Sequence, residues 1–158
     1  MKLIGFNFSK ISVEKYKEFD SQQSNSIKTN VQITNVKKDQ IDFFKNQDIF
    51  SFEYIFKILY EPSIAELIFT GSIALLVPET EIVKEIENQW KDKLFPQDVK
   101  FTLINLILSK CNLKALQLEE DLSLPHHIPV PQVSPVNQNN QNNQEDLEEK
   151  PKRKKSKK

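Results

Sequence analysis

Few residues in this chain have the type and spacing for chemistry. Its two histidines are adjacent, His126-His127. Neighbours in an extended chain project to opposite sides, so the pair is a poor chelate, and no cysteine pair or carboxylate sits at ligand spacing beside it. No metal site is expected, and the plainer reading is a polar loop. The single cysteine, Cys111, cannot close an internal disulfide and has no motif to activate it. It reads as a small buried hydrophobe at a helix end, in a protein of a reducing compartment. Glu119, Glu120 and Asp121 are close enough for acid–base work, but no cleft is identifiable around them, and a solvated helix end accounts for them. Gly5 and Gly71 are the only glycines, which excludes a Gly-rich phosphate loop. The chain is not expected to be an enzyme, and no cofactor is expected.

Two other features are suited to binding. Phe50, Phe52, Tyr54, Phe56, Ile58 and Tyr60 fall on one parity of a strand-like run. Each aromatic buries roughly 150–250 Å², so that face must be covered. Either it is core beneath helices, or it is a partly open apolar groove for unfolded chain or a partner. Trp90 and Phe95, near a helix–helix junction, would rim such a groove. The second feature is the C-terminal run KPKRKKSKK, which supplies Lys152, Arg153, Lys154, Lys155, Lys157 and Lys158. It offers salt-dependent phosphate contact with RNA or anionic lipid. No aromatic interleaves it, so base stacking is not expected. The bland alternative is a solubilising tail.

The charges of the whole chain balance, 22 basic against 22 acidic. They balance unevenly: residues 1–144 carry about −3, and the end is strongly basic. The 158 residues suit one domain plus a tail. The longest apolar block, residues 103–108, is far short of the roughly 20 residues of a membrane span. Met1-Lys2 leads straight into a strand pattern, so no signal peptide is expected, and the expected location is the cytoplasm.

The elements that must position these residues follow a simple order. Strand-like alternation occupies residues 4–13, 27–36, 50–60 and 64–77. The first run changes phase near Ser9-Lys10, where a bulge or bend would restore the face, and the second slips again at Val36. The fourth run is apolar on both faces, as a central or doubly covered strand is. Glu61-Pro62-Ser63 reads as the turn before it. Helical spacing follows at 81–93, with Thr80 as the expected N-cap, and at 97–111, apolar almost all round. That second helix suggests a subunit interface. A leucine-rich segment continues the helical pattern to Glu120, and Leu124–Pro135 is proline-rich extended chain. From Asn137 the composition is Asn/Gln-rich, then acidic, then basic, and cannot bury a core. Strands followed by helices define an α+β fold with a four-stranded antiparallel sheet. The expected domain covers residues 1–133, with a disordered tail over 134–158.

This order, with Leu94-Phe95-Pro96 at the opening of the second helix and LIGFNFSKIS as the first strand, resembles the SecB family of protein-export chaperones. The segment ALQLEEDLSLPHHIPVP is also similar to archaeal proteins grouped loosely with that fold. The resemblance implies an ATP-independent holdase for unfolded or nascent polypeptides. It implies a homo-oligomer, dimer or tetramer, with helices at the interface. By position in that fold, Phe50, Phe52, Tyr54, Phe56, Trp90 and Phe95 are the groove candidates. Bacterial members are acidic and dock on the SecA motor. A neutral chain with a basic end instead favours ribosome or RNA proximity, and a ribosome- or RNA-associated protein held by its tail is the alternative function.

Overall fold

The computed structural model describes residues 1–22, 24–39 and 48–131. Four strands come first: β1 (Lys2–Lys15), β2 (Ser26–Asp39), β3 (Asp48–Glu61) and β4 (Ala65–Val77). Helix α1 (Thr80–Gln89) runs into a short 3-10 turn (Trp90–Asp92), and α2 (Gln97–Asp121) ends the helical layer. The sheet is antiparallel throughout, in the order β1-β4-β3-β2. Strands β2, β3 and β4 follow one another as hairpins, and β1 reaches across to lie beside β4. This is Greek-key order, with β1 and β2 as the two edges. The expected α+β fold class is therefore the observed one.

The phase changes in the sequence are register shifts in the sheet. One lies between Phe8 and Lys10, opposite Gly71 and Thr70, and returns Ile11 and Val13 to the side of Phe69 and Leu67. The other lies between Ile33 and Asn35 and sets Val36 opposite Phe52. The doubly apolar fourth strand is central, between β1 and β3. Its turn, Glu61 to Ser63, contains a cis Glu61-Pro62 bond and a positive φ of 48° at Ser63.

Helix α2 covers one face of the sheet. Its buried residues are Val99, Leu103, Ile107, Cys111, Ala115 and Glu119, each four after the last. Steps of four turn by about 400°, so this buried line rotates about 40° per step around the helix. That rotation explains why the helix looks apolar all round, with Phe101 and Leu113 still 59% and 69% exposed. The helix is one continuous element rather than one ending at Cys111. Thr80 is the first helical residue of α1, not its cap: Glu79 holds that position without a side-chain hydrogen bond.

One close approach in the sheet demands glycine. A Cβ at Gly71 would drive into the Asn7 carbonyl oxygen and come within 2.7 Å of the Tyr54 hydroxyl oxygen. The Asn7 oxygen is backbone held in the β1–β4 ladder and cannot step aside. Gly71→Ala is expected to cost about 3 kcal/mol, the upper end for overpacking a core. Urea denaturation checks this, and a loss below about 1 kcal/mol would mean the two strands can separate locally.

Candidate polypeptide-binding site

Phe50, Phe52, Tyr54 and Phe56 project from β3 under α2 and are at most 1% exposed. Phe56 stacks on Phe69, centroids 5.7 Å apart, and Phe6 packs on Tyr54 at 5.2 Å. Their place in this structure is the core, the first of the two readings of that face, and not an open groove. The physical reason is that α2, the helix junction and the strap after α2 together cover that face: Cys111 and Glu119 meet Tyr54 and Tyr60, Phe95 meets Phe52, and His127 meets Phe56. Trp90 and Phe95 differ: both are only partly buried. Their rings stack at 5.1 Å, and Phe95 stands 6.0 Å from Phe52. Phe95 therefore links the core to the surface.

An open cleft of about 560 Å³ lies beside Phe95. One wall is the middle of edge strand β2, Val31 to Thr34; the other is Lys93, Phe95, Lys100 and Ile104. The junction between α1 and α2 builds the second wall. Lys93 takes the left-handed conformation, φ 60°, its N–H donates to the Trp90 carbonyl, and the Leu94 N–H donates to the Gln89 carbonyl. This is a Schellman closure, which usually buries the residue after the left-handed one against the helix. Here that residue, Leu94, is 61% exposed. Pro96 then fixes φ at −53° and starts α2. The result is an exposed leucine beside a half-exposed Trp-Phe stack, next to an unpartnered sheet edge. The Lys93 ammonium sits over the Trp90 ring at 4.1 Å. Leu94, Lys93, Lys100, Ile104 and the β2 residues were not singled out as site residues from the sequence. Only the docking of the helix junction against β2 brings them together.

A second cluster is sealed. Glu119 is 0% exposed although it stands beside Glu120 and Asp121. The Tyr60 hydroxyl donates to its Oε1 at 2.7 Å, with the Pro125 carbonyl competing for that proton at 2.8 Å. His127 Nδ1 lies 2.7 Å from the same oxygen, and the His127 N–H donates to Oε2 at 3.3 Å. His127 Nε2 is 3.0 Å from Asn112 Oδ1. This corrects one expectation, since Glu119 is not a solvated helix end; the two histidines do lie in a loop, but the His127 side chain is buried in it. The cluster fastens residues 122–131 across the end of the sheet, and the Lys15 ammonium donates to the Leu122 carbonyl from β1. His126 turns outward to Glu120, 2.8 Å away. Among the described residues, no group of histidine, cysteine or carboxylate side chains is placed to hold a metal. Burial pushes the Cys111 thiol up to about 11, so it is not a thiolate at neutral pH.

The basic residues Lys152, Arg153, Lys154, Lys155, Lys157 and Lys158 lie outside the described residues. Among the described residues, no helix is long and apolar enough to cross a membrane.

No family model matches the chain, and no curated protein matches it by sequence. A solved structure does match: the Mycobacterium tuberculosis Rv1957 SecB-like chaperone in complex with a ChAD peptide from the Rv1956 HigA1 antitoxin. The TM-score is 0.52 at 10% identity, over 85% of this chain and 92% of that one. The four-stranded antiparallel sheet followed by two helices is thus the fold of a SecB-like chaperone.

Proposed function

We propose that this protein is a chaperone-like binder of non-native polypeptide, acting without nucleotide chemistry and without a catalytic residue. The observation that carries the reading is the open cleft between edge strand β2 and the Leu94-Phe95 junction. An edge strand offers unpaired backbone donors and acceptors to an extended segment. The apolar wall of Phe95 and Ile104 offers burial at roughly 25 cal/mol per Å². The structural neighbour with a bound peptide supports this reading through its fold. The groove is thus assigned to Phe95, with Trp90 stacked behind it, rather than to the β3 aromatics.

Oligomerisation through α2 belongs to the same proposal. Phe101 and Leu113 leave apolar surface on that helix, and a second copy would cover it.

The experiment is suppression of aggregation of an unfolded test protein, with particle mass from light scattering. Suppression near stoichiometric ratio is expected, and Leu94→Ser with Phe95→Ser is expected to reduce it at least tenfold while the far-UV spectrum is kept. Full suppression by that variant would place the binding surface elsewhere. No suppression by the native protein would remove the chaperone reading.

A further inference from the structure

Resting on that polypeptide-binding reading, we propose that the cleft selects extended segments in which carboxylates flank apolar side chains. The walls carry Val31, Ile33, Phe95 and Ile104 as apolar surface and Lys93 and Lys100 as the charged groups, with no carboxylate between them. Four lysines of the sheet are engaged by carboxylates: Lys15 with Glu18, Lys28 with Glu61, Lys37 with Glu53, and Lys38 with Asp48 and Glu87. Among the described residues neither Lys93 nor Lys100 has an ion-pair partner. Two cations without an ion-pair partner among the described residues thus face an apolar trough whose lining holds no carboxylate.

Their positions are held. The Trp90 ring fixes the Lys93 ammonium at 4.1 Å, at the rim of the cleft. Lys100 lies in the first turn of α2, whose N-terminus lacks a side-chain cap, so its free N–H groups add positive potential at the same end. Asp98, in that turn, is exposed and not part of the cleft wall. An extended segment presents every second side chain to one wall, about 7 Å apart. The segment that fits therefore places an apolar anchor against Phe95 and carboxylates two residues to either side. The contrast lies elsewhere on the molecule. A hollow of about 480 Å³ is lined by Tyr16, Glu61 and Glu66, and would take the opposite charge.

The test uses the full chain and three fluorescent 12-residue peptides of equal apolar content, with Glu, Gln or Lys at alternate positions. Anisotropy titrations at low salt are expected to rank Glu above Gln by about fivefold, two exposed ion pairs' worth. At 0.5 M NaCl that gap should close, since exposed charges are screened. Lys100→Glu, which leaves one cation and one anion on the wall, should abolish the difference between the Glu and Lys peptides. An acidic residue near a helix N-terminus is favourable, so this variant is expected to fold. Lys93→Asn, which tolerates a positive φ, should halve the gap independently. Equal affinity for all three peptides would overturn the selectivity and leave polypeptide binding standing. Tightest binding of the Lys peptide, unchanged by Lys100→Glu, would overturn it in favour of the acidic hollow. Binding of none would overturn both readings.

Discussion

Glu119→Ala is expected to lower stability by about 3 kcal/mol, the cost of leaving buried hydrogen-bond donors without their partner. The carboxylate is 0% exposed and takes donors from three groups, two on His127 and one on Tyr60. Alanine leaves the His127 ring, 1% exposed, without its Nδ1 partner. Tyr60 keeps the Pro125 carbonyl, so its loss is the smaller part. The strap over residues 122–131 would lose its only charged anchor to α2 among the described residues, apart from the exposed His126–Glu120 contact. Urea denaturation measures the loss. A cost under about 1 kcal/mol would mean that the strap repacks without the cluster.

The same carboxylate sets a pH dependence whose sign follows from its partners. Burial pushes Glu119 toward a higher value, but the donors on His127 and Tyr60 together outweigh it and hold the carboxyl below its ordinary range. As pH falls, the unfolded chain takes up this proton first, near pH ~4.3. The contribution is therefore complete above that value and is lost as pH drops through the lower folded value. The stability difference between the native chain and Glu119→Gln should be constant near neutrality and shrink between about pH 5 and pH 3. A difference independent of pH would show that Glu119 is not ionised in the folded state. Exposed carboxylates such as Glu53 and Glu61 are common to both proteins and cancel.

Much of the sheet was legible because alternation reports which face a residue takes. The bulges at Phe8/Lys10 and Ile33/Asn35 were visible as changes of phase, and the central position of β4 as a second apolar face. Strand order was not legible in full, since alternation names a face and not a neighbour. The placement of β1 beside β4 depends on a connection that crosses the sheet. The helical pattern was legible to Glu120, close to the observed end at Asp121, but which side of α2 is buried was not: an apolar line in steps of four precesses, and looks like apolar surface on every side. Glu119 carried one faint signal, its place four residues after Ala115 on that line. Its partners lie 59 and 8 residues away and on separate elements, and no local pattern announces them. The cleft was half legible. Leu94-Phe95-Pro96 marked the junction, but that β2 would form its other wall is a fact of docking.

Phe56→Ala and Phe95→Ala separate core from cleft, and the two variants are expected to fail in different assays. Phe56 is 0% exposed, stacked on Phe69 and edge-on to His127. Truncating it leaves a cavity under α2 and should cost about 3–5 kcal/mol. Any client that survives to be bound should be bound as before, because the ring does not reach the surface. Phe95 is half-buried between Trp90 and Phe52 and lines the cleft. Its truncation removes fewer buried contacts, about 1–2 kcal/mol by area, yet takes away the apolar anchor of the wall. Holdase activity per folded molecule should then fall at least tenfold with Phe95→Ala and stay within about twofold with Phe56→Ala, measured at a temperature where both are folded. The reverse pattern would mean that α2 lifts from the sheet to expose β3, and that the aromatic strand is a groove opened by the client. Similar losses in both would mean that binding depends on core stability as a whole. Both positions are phenylalanines stacked on a second aromatic ring, Phe56 on Phe69 and Phe95 on Trp90, so the difference between them isolates exposure from ring chemistry.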